Sequence, residues 1–206
     1  MIHTFLKGRV DAPTLILLHG TGGTEHDLIP IAKIVDASAN IIGIRGNVLE
    51  NGNITRYFKR IEHGVFDQES LNQETNNLYN YLEDLAKKYN LDRKKFVLVG
   101  YSNGATMTAS ILQRFLNPVL GAILLHPFVP TKEKIPKDLS EVKVLITTAD
   151  NDQVCPPDHS EFLKDQFKNS YADTEIFYGD RKHSVSEDEL AYIKSWYDTK
   201  ILKKDQ

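Results

Sequence analysis

A serine lies between two glycines at residues 100–104, in the sequence Gly-Tyr-Ser-Asn-Gly, and this is the strongest chemical signal in the chain. A G-x-S-x-G motif alone arises often by chance. Here it follows an apolar segment predicted as a buried strand and precedes a predicted helix, so a sharp strand-to-helix turn would expose the serine hydroxyl at the edge of a sheet. We therefore expect Ser102 to be a nucleophile, in preference to the alternative that it only caps the helix.

A serine hydroxyl is a weak nucleophile and needs a base, which in turn needs an acid to orient it. With this kind of turn, the acid and then the histidine follow the serine along the chain. Asp150 and Asp152 follow one predicted strand and His183 follows the last one, at the strand ends where sites of parallel sheets form. The residues leave the choice between the two aspartates open, and the other one is expected to stabilise its loop.

The other histidines suit the role of base less well. Those predicted to be solvated, in surface segments or helices, are His3, His26, His63 and His159. His19 and His126 each end a predicted strand, and we expect both to be partly buried rather than catalytic. The candidates for the wall of the pocket are His19, Gly22, Arg45, His126 and Phe128.

Acyl transfer also needs fixed N–H donors for the negative charge that develops on the carbonyl oxygen. Asn103, directly after the serine, supplies one backbone N–H. The glycine-rich loop at residues 19–23 follows the first central strand and is expected to supply the other, from Thr21.

Two other classes of site are disfavoured by spacing. The loop starts like a dinucleotide-binding G-x-G-x-x-G motif, but Glu25 stands where the third glycine is required, and no phosphate-binding P-loop motif occurs. A metal site built from Asp150, Asp152, His126 and His183 has no tight ligand spacing such as H-E-x-x-H to support it. We expect neither a cofactor nor a metal.

The elements that position these residues alternate along the chain. Short, apolar, β-branched segments predict strands at residues 14–18, 40–44, 95–99, 121–125 and 142–146, and a more polar one nearer an edge at 174–178. Helical patterns fall at residues 27–35, 70–89, 103–115 and 157–168 and in a last helix from 186, with capping boxes at Ser70/Gln73 and Ser186/Glu189. Such alternation predicts an α/β fold, a doubly wound, mostly parallel sheet with helices on both faces, as one domain over residues 1–206.

Two irregular stretches interrupt this pattern. Residues 45–69 have little periodicity, and because a loop of that length in a compact domain is usually functional or mobile, we expect it to form one wall of the site. Residues 127–140 fit either a second wall or a solvated surface loop.

Composition bounds the partners. The net charge is -3, with 26% charged and 41% hydrophobic residues. Nucleic acids and anionic membranes attract clustered Lys and Arg, so we expect neither as a partner, and no apolar run approaches the ~18 residues of a membrane span. One cysteine, Cys155, and the lack of an export signal at the N-terminus predict a cytoplasmic protein. A homo-oligomer is compatible with the sequence.

Taken together, the motifs at residues 18–23, 45–47, 100–105 and 152–156 and His183 resemble the phospholipase/carboxylesterase branch of the α/β hydrolases, which includes acyl-protein thioesterases. The resemblance spans nearly the whole chain and implies a minimal α/β-hydrolase fold without a large lid domain. It selects Asp152 over Asp150 as the acid, with His183 as the base and the Thr21 and Asn103 amides as the oxyanion hole. Cys155, where the family usually has a valine-like residue, departs from its pattern.

The predicted function is hydrolysis of small-molecule carboxylic esters through a Ser102–His183–Asp152 triad and an acyl-enzyme intermediate. Thioesterase or lysophospholipase activity would use the same triad, and a non-catalytic binding protein is the alternative from another class.

Overall fold

A computed structural model describes residues 1–134 and 136–203. The strands of these residues are β1 (His3–Leu6), β2 (Thr14–Leu18), β3 (Asn40–Ile44), β4 (Val48–Glu50), β5 (Ile54–Arg56), β6 (Arg60–Glu62), β7 (Val65–Phe66), β8 (Phe96–Tyr101), β9 (Gly121–Leu125), β10 (Lys143–Ala149) and β11 (Asp173–Gly179). The helices are α1 (Ile29–Val35), α2 (Gln68–Tyr89), α3 (Asn103–Arg114), α4 (Pro157–Asn169) and α5 (Glu187–Trp196).

The central sheet has the strand order β1-β3-β2-β8-β9-β10-β11. All neighbouring strands in it are parallel except β1, which pairs antiparallel with β3 at one edge. The predicted mostly parallel α/β sheet is therefore confirmed, including the placement of the most polar strand, β11, at an edge.

Both faces of the sheet are covered, which explains why its central strands β2, β3, β8 and β9 are apolar at nearly every position. Alternate residues of a strand point to opposite faces, so Leu15 and Leu17 of β2 pack with α1 and α5, while Ile16 and Leu18 pack with α2, α3 and α4. Full burial of one such side chain stabilises the fold by about 1.5–3 kcal/mol. The parallel strands thus place their carboxyl ends, and the loops that follow, along one common edge.

The start of α2 differs from the prediction. The helix begins at Gln68, and Asp67 is its N-cap because its carboxylate accepts a hydrogen bond from the Ser70 N–H at 3.0 Å. The predicted cap at Ser70 is wrong: aspartate caps as well as serine does, and the earlier residue takes the role. The predicted capping box of Ser186 with Glu189 at the start of α5 is confirmed.

Residues 45–69 contain more regular structure than expected. Two short antiparallel hairpins, β4–β5 and β6–β7, occupy residues 48–66, which we call the hairpin segment. Asn51 and Gly52 take positive φ angles of 52° and 80° at the first turn, and Gly64 takes 74° at the second. An Asn-Gly pair is a known hairpin signal, and here it outweighed the weak periodicity of the flanking residues.

Strand β1 was also absent from the prediction. It is only four residues long and none of them is fully buried, so it lacks the apolar run that marked the central strands. His3 within it is half-buried rather than solvated, and its ring nitrogens lie 2.5 Å from the Tyr81 hydroxyl and 2.8 Å from the Tyr89 hydroxyl.

Among the described residues, no helix combines the length and hydropathy needed to cross a membrane.

Candidate active site

Ser102 lies in a tight turn between β8 and α3. It has φ 51° and ψ -108°, a strained conformation for a residue with a side chain. Its N–H donates to the Leu125 carbonyl of the neighbouring strand at 2.8 Å, which fixes the turn to the sheet. The serine is therefore held at the carboxyl edge of the sheet, at the N-terminus of a buried helix.

The two glycines of the motif are required by close backbone contacts. A Cβ on Gly100 would lie 2.4 Å from the Gly104 carbonyl oxygen, and one on Gly104 would lie 2.0 Å from the Leu18 carbonyl oxygen. Both distances are far inside van der Waals contact. Helix α3 can thus approach β2 and β8 closely only because both side chains are missing.

The structure brings Ser102, His183 and Asp152 together. His183 Nε2 lies 2.9 Å from Ser102 Oγ, and His183 Nδ1 lies 2.8 Å from Asp152 Oδ2. Asp152 is fully buried at its side chain, whereas the His183 side chain is 17% exposed. Asp150, the competing acid, is exposed to solvent.

The Asp152 carboxylate is held by four donors. Its Oδ1 accepts hydrogen bonds from the Val154 and Cys155 N–H groups at 2.8 and 2.9 Å, and its Oδ2 faces two imidazoles. Burial alone would raise the pKa of Asp152, but these hydrogen bonds outweigh it, so that its pKa lies below the ordinary value. The aspartate is therefore ionised and fixed in orientation at neutral pH.

The second imidazole on Asp152 belongs to His126, at the end of β9. His126 is fully buried, with a φ of 53°, and its Nδ1 lies 2.8 Å from the same Oδ2 that faces His183. Its Nε2 points to the carboxylate of Glu189 at 3.5 Å. The expectation that His126 lines the pocket is therefore wrong, because the ring is enclosed behind Asp152.

Tyr101 supports the loop that carries His183. Its hydroxyl donates to the His183 carbonyl at 2.7 Å, and the two rings lie 5.3 Å apart. Burial, and then the nearby Asp152 carboxylate, raise the pKa of Tyr101 to about 12. The phenol stays protonated and keeps its hydrogen bond at any physiological pH.

Thr21 and Asn103, the expected oxyanion donors, line the same pocket as Ser102. Asn103 is the first residue of α3, where backbone N–H groups have no partner within the helix. Its side-chain Oδ1 accepts from the Tyr57 N–H at 2.8 Å, so that the hairpin segment grips the start of the helix.

The hairpin segment also holds the loop of Thr21. The Gly22 N–H donates to the Thr55 carbonyl at 2.8 Å, and Thr55 Oγ1 donates to the Gly23 carbonyl at 2.5 Å. Arg56 Nη1 donates to Thr21 Oγ1 at 2.8 Å. These three hydrogen bonds hold the Thr21 loop next to the backbone N–H that would face a substrate oxygen.

The pocket above Ser102 has a volume of about 280 Å³. Apart from the residues already described, its walls include Arg56, Arg60, His63, Gly64, Phe66, Phe128 and Val154. The hairpin segment thus supplies one wall, as expected, and residues 127–140 contribute Phe128. Within residues 127–140, Lys132, Glu133 and Lys134 are exposed to solvent, and residue 135 lies outside the described residues.

The remaining candidates for the wall lie elsewhere. Gly22 borders a neighbouring groove of about 430 Å³ that is also lined by Tyr101. His19 is buried, with its Nε2 accepting the Gly46 N–H at 3.0 Å, and Arg45 pairs with the buried Glu25 through two hydrogen bonds of 2.5 and 3.0 Å. His159, expected to be solvated, is half-buried and its Nδ1 accepts the Val129 N–H at 3.0 Å.

Sequence reasoning missed the arginines of the wall and the partner of His126. Arg56 and Arg60 lie in or beside the hairpin strands, and the Asn51-Gly52 pair was the available signal for those strands. Glu189 was recognised only as part of a capping box. Its second contact joins residues 63 positions apart, which no local pattern reveals.

His126, Asp152 and His183 also form a group with metal-ligand atoms within 4.8 Å of one another. Each imidazole Nδ1, however, is 2.8 Å from Asp152 Oδ2, a distance at which the proton of an N–H group lies between the two atoms. The geometry fits a hydrogen-bonded network rather than three ligands arranged around an ion.

The fold and this site define a class. Residues 5–201 match the family model described as Phospholipase/Carboxylesterase, and the chain belongs to that family of hydrolases. A curated relative, the putative hydrolase MhqD of Bacillus subtilis (strain 168), is 37% identical over 202 residues, which are 98% of this chain and 100% of that protein.

Solved structures agree. The Bacillus cereus carboxylesterase is 42% identical with a TM-score of 0.93, covering 96% of this chain and 93% of its own. YahD, determined with malic acid, is 32% identical with a TM-score of 0.91, covering 97% of this chain and 98% of its own. The α/β-hydrolase fold, without a large extra domain, is thus confirmed.

Proposed function

We propose that this chain is a serine esterase that uses Ser102, His183 and Asp152 in a two-step acyl transfer. The observation that supports it best is the single imidazole of His183, which lies within hydrogen-bond distance of both a strained, pocket-lining serine and a buried, ionised aspartate. Asp152 fixes the tautomer with the proton on Nδ1, so that Nε2 is free to accept the serine proton.

In the first step, Ser102 Oγ forms a bond to the ester carbonyl carbon while its proton passes to His183 Nε2. The carbonyl π electrons move onto oxygen, where the Thr21 and Asn103 amides stabilise the negative charge. As the carbonyl re-forms, the bond to the alcohol oxygen breaks and His183 returns the proton to the leaving alcohol. Water then attacks the acyl-enzyme with His183 again as base, which releases the acid and restores Ser102.

The test is the Ser102→Ala variant with a short p-nitrophenyl ester. Loss of a triad member leaves only about 10³–10⁴-fold catalysis over water, so turnover should fall by several orders of magnitude while the protein stays folded. A fluorophosphonate probe should label the wild type at Ser102. Ser184→Ala, which removes an exposed serine beside His183, is the matched control and should retain both activity and labelling.

Full turnover by Ser102→Ala would remove the proposal. A folded wild type that neither turns over esters nor accepts the probe would instead indicate a binding protein built on the same fold.

The pocket also supports a substrate class: short esters that carry a carboxylate. Its volume is below the ~300–1,000 Å³ of pockets for drug-sized ligands. The ionisable groups on its described walls are Arg56, Arg60, His63, Tyr101 and His183, with no carboxylate among them. Glu50 pairs with both arginines, at 3.6 and 2.8 Å, so two positive charges share one negative charge.

The side chain of Arg56 is only 4% exposed, so its charge is poorly solvated and an anionic group in the pocket would complete its neutralisation. The relative YahD, whose structure contains malic acid, a small dicarboxylic acid, is consistent with such a substrate. Phe66, Phe128 and Val154 would contact the carbon chain.

Monomethyl succinate and its neutral isostere methyl 4-methylpentanoate form a matched pair for this test. A charge-assisted hydrogen bond contributes about 1.5–3 kcal/mol, so we expect kcat/KM to favour the anionic ester by at least about 10-fold, and Arg60→Gln to remove most of that preference. Proton release in a pH-stat measures both. Equal or better hydrolysis of the neutral ester would refute the anionic class and leave the esterase mechanism intact.

A further inference from the structure

The buried side of Asp152 holds an arrangement that the triad does not need. His126 and Glu189 are both fully buried, they come from different elements, and they continue the line of ionisable groups from Asp152 into the protein interior. Burial of an ionisable group lowers the stability of the fold unless the group is paired, so the protonation states of Asp152, His126 and Glu189 must be compatible with one another.

The hydrogen bond to Asp152 places a proton on His126 Nδ1. The aspartate is ionised and its Oδ2 accepts from His126 Nδ1 at 2.8 Å, which requires an N–H at that nitrogen. Nε2 then faces Glu189 Oε2 at 3.5 Å. A neutral ring would direct a lone pair at a carboxylate oxygen, which is repulsive, so one further proton must lie between His126 and Glu189.

We propose that this proton lies on His126, and that His126 is a positioning residue: a buried imidazolium that links Asp152 to Glu189 and shares the charge of the catalytic carboxylate. Two carboxylates flank the ring, one at each nitrogen, which is the environment that favours the charged form. Burial alone lowers the pKa of His126, but Glu189 and then Asp152 raise it further, to above the ordinary value.

The other groups around His126 fit this assignment. Tyr101 on β8 is neutral, with its ring 6.3 Å away, and His183, on the loop after β11, has its ring 5.4 Å away. Glu189 is itself held in place, because its Oε2 accepts the Ser186 N–H at 3.4 Å in the capping box of α5. The start of α5 therefore fixes the inner end of the line.

The charge of His126 affects the base. A positive charge on the far side of Asp152 offsets part of the negative charge that this carboxylate presents to His183. Both imidazoles bind the same Asp152 Oδ2, so removal of the charge on His126 changes the electrostatic interaction between Asp152 and His183.

Glu189→Gln tests this with little change in shape. Glutamine also serves at this position of a capping box, but without the negative charge His126 should lose its extra proton. The acidic limb of the kcat/KM–pH profile should then move to higher pH. The shift should be smaller than the roughly one unit expected for loss of a lone unit charge about 5 Å away, because the negative charge of Glu189, beyond His126, is lost with the positive one. Glu187→Gln, at an exposed position in the same turn of α5, is the matched control and should leave the profile unchanged.

A direct readout is the ¹⁵N NMR spectrum of histidine-labelled protein. At pH 7, His126 should give imidazolium shifts in the wild type and neutral shifts in Glu189→Gln. A neutral His126 in the wild type at pH 7 would overturn the proposal, even if the variant fails to fold. An acidic limb that does not move in folded Glu189→Gln would overturn it as well.

The kinetic measurement rests on the proposed esterase function, whereas the NMR measurement does not. If Ser102→Ala kept its activity, the proposed function would fail while the protonation state of His126 stayed measurable.

Discussion

Two regions of the chain build the pocket in different ways. Ser102, Asp152 and His183 each lie within a few residues of the carboxyl end of a strand of the central sheet, and the packing of the sheet fixes their positions. The hairpin segment has short strands with exposed residues. Its aromatic residues Tyr57, Phe58 and Phe66 are buried in the core, and specific hydrogen bonds from Thr55, Arg56 and Tyr57 join it to the loop and helix beside the pocket.

The two regions should differ in how well they tolerate amino-acid substitutions. A residue fixed by close packing cannot move without disturbing the sheet, so substitutions there are costly in stability or abolish chemistry. The hairpin segment meets the Thr21 loop and α3 through a few hydrogen bonds, so it can lose one of them while its buried aromatic residues keep it folded, with a graded loss of activity. Substitutions at the carboxyl edge of the sheet and in the hairpin segment test this difference, each with a control variant where the chain offers one.

The largest expected effect concerns the acid. Asp152→Asn removes the charge that stabilises the His183 imidazolium and allows the wrong tautomer, so kcat should fall by roughly 10⁴-fold. Asp150→Asn, two residues away and exposed, should change kcat by less than about 2-fold. Steady-state kinetics on one ester compares the two, and a larger loss in Asp150→Asn would reverse the assignment.

A pair of glycines compares the two regions in stability. Alanine at Gly104 would place its Cβ 2.0 Å from the Leu18 carbonyl oxygen, and we expect it to lower the free energy of unfolding by at least about 3 kcal/mol. At Gly52, in the first hairpin turn, a Cβ meets no atom of the described residues within 4 Å. Only the positive φ of 80° is unfavourable there, at about 1 kcal/mol.

Urea unfolding of both variants measures these free energies. Similar losses in the two would mean that close packing at the carboxyl edge is not what distinguishes the regions.

The same distinction explains what the sequence could predict. Strands β2, β3 and β9 match their predicted bounds because full burial on both faces demands an uninterrupted apolar run. Ser102 was predicted from its place after such a strand, and His183 from its place after β11, the more polar strand at the edge of the sheet. The choice of Asp152 over Asp150 needed family resemblance, because two residues in one loop differ in burial but not in local pattern.

Other features depend on contacts between distant parts of the chain. Arg56 reaches Thr21 across 35 positions, and His126 reaches Asp152 across 26, so that neither role leaves a periodic signal. His126 and His19 both end a buried strand, and sequence treated them alike. The structure separates them through their partners, two carboxylates for one and two backbone groups for the other.

A smaller effect is expected where the two regions meet. Thr55→Val keeps the shape of the side chain but removes its hydrogen bond to the Gly23 carbonyl. A lost hydrogen bond costs about 1 kcal/mol, so looser positioning of the Thr21 loop should lower kcat/KM by roughly 5-fold, chiefly through kcat. Leu49→Ala, exposed on the same hairpin, is the control and should leave kcat/KM unchanged. An unaffected kcat in Thr55→Val would show that the hairpin does not position that loop.

The smallest effect concerns His19, which also joins the regions. Its Nε2 accepts the Gly46 N–H and its Nδ1 donates to the Gly20 carbonyl, an arrangement that only the neutral ring can make. Burial, despite the Gly20 hydrogen bond, lowers the pKa of His19 in the folded protein. Above about pH 6.5 the ring is mostly neutral in both the folded and the unfolded protein. As the pH decreases below that value, the unfolded chain binds the proton first, so the free energy of unfolding decreases.

His19→Asn removes this titration while keeping one donor and one acceptor. Between pH 7.5 and 5.5, the wild type should lose about 1 kcal/mol more of its free energy of unfolding than the variant does. The other histidines are common to both proteins and cancel in the comparison, which urea titrations at the two pH values provide. Equal losses would mean that His19 takes up its proton in the folded state as readily as in the unfolded chain, and that its two backbone hydrogen bonds do not require the neutral ring.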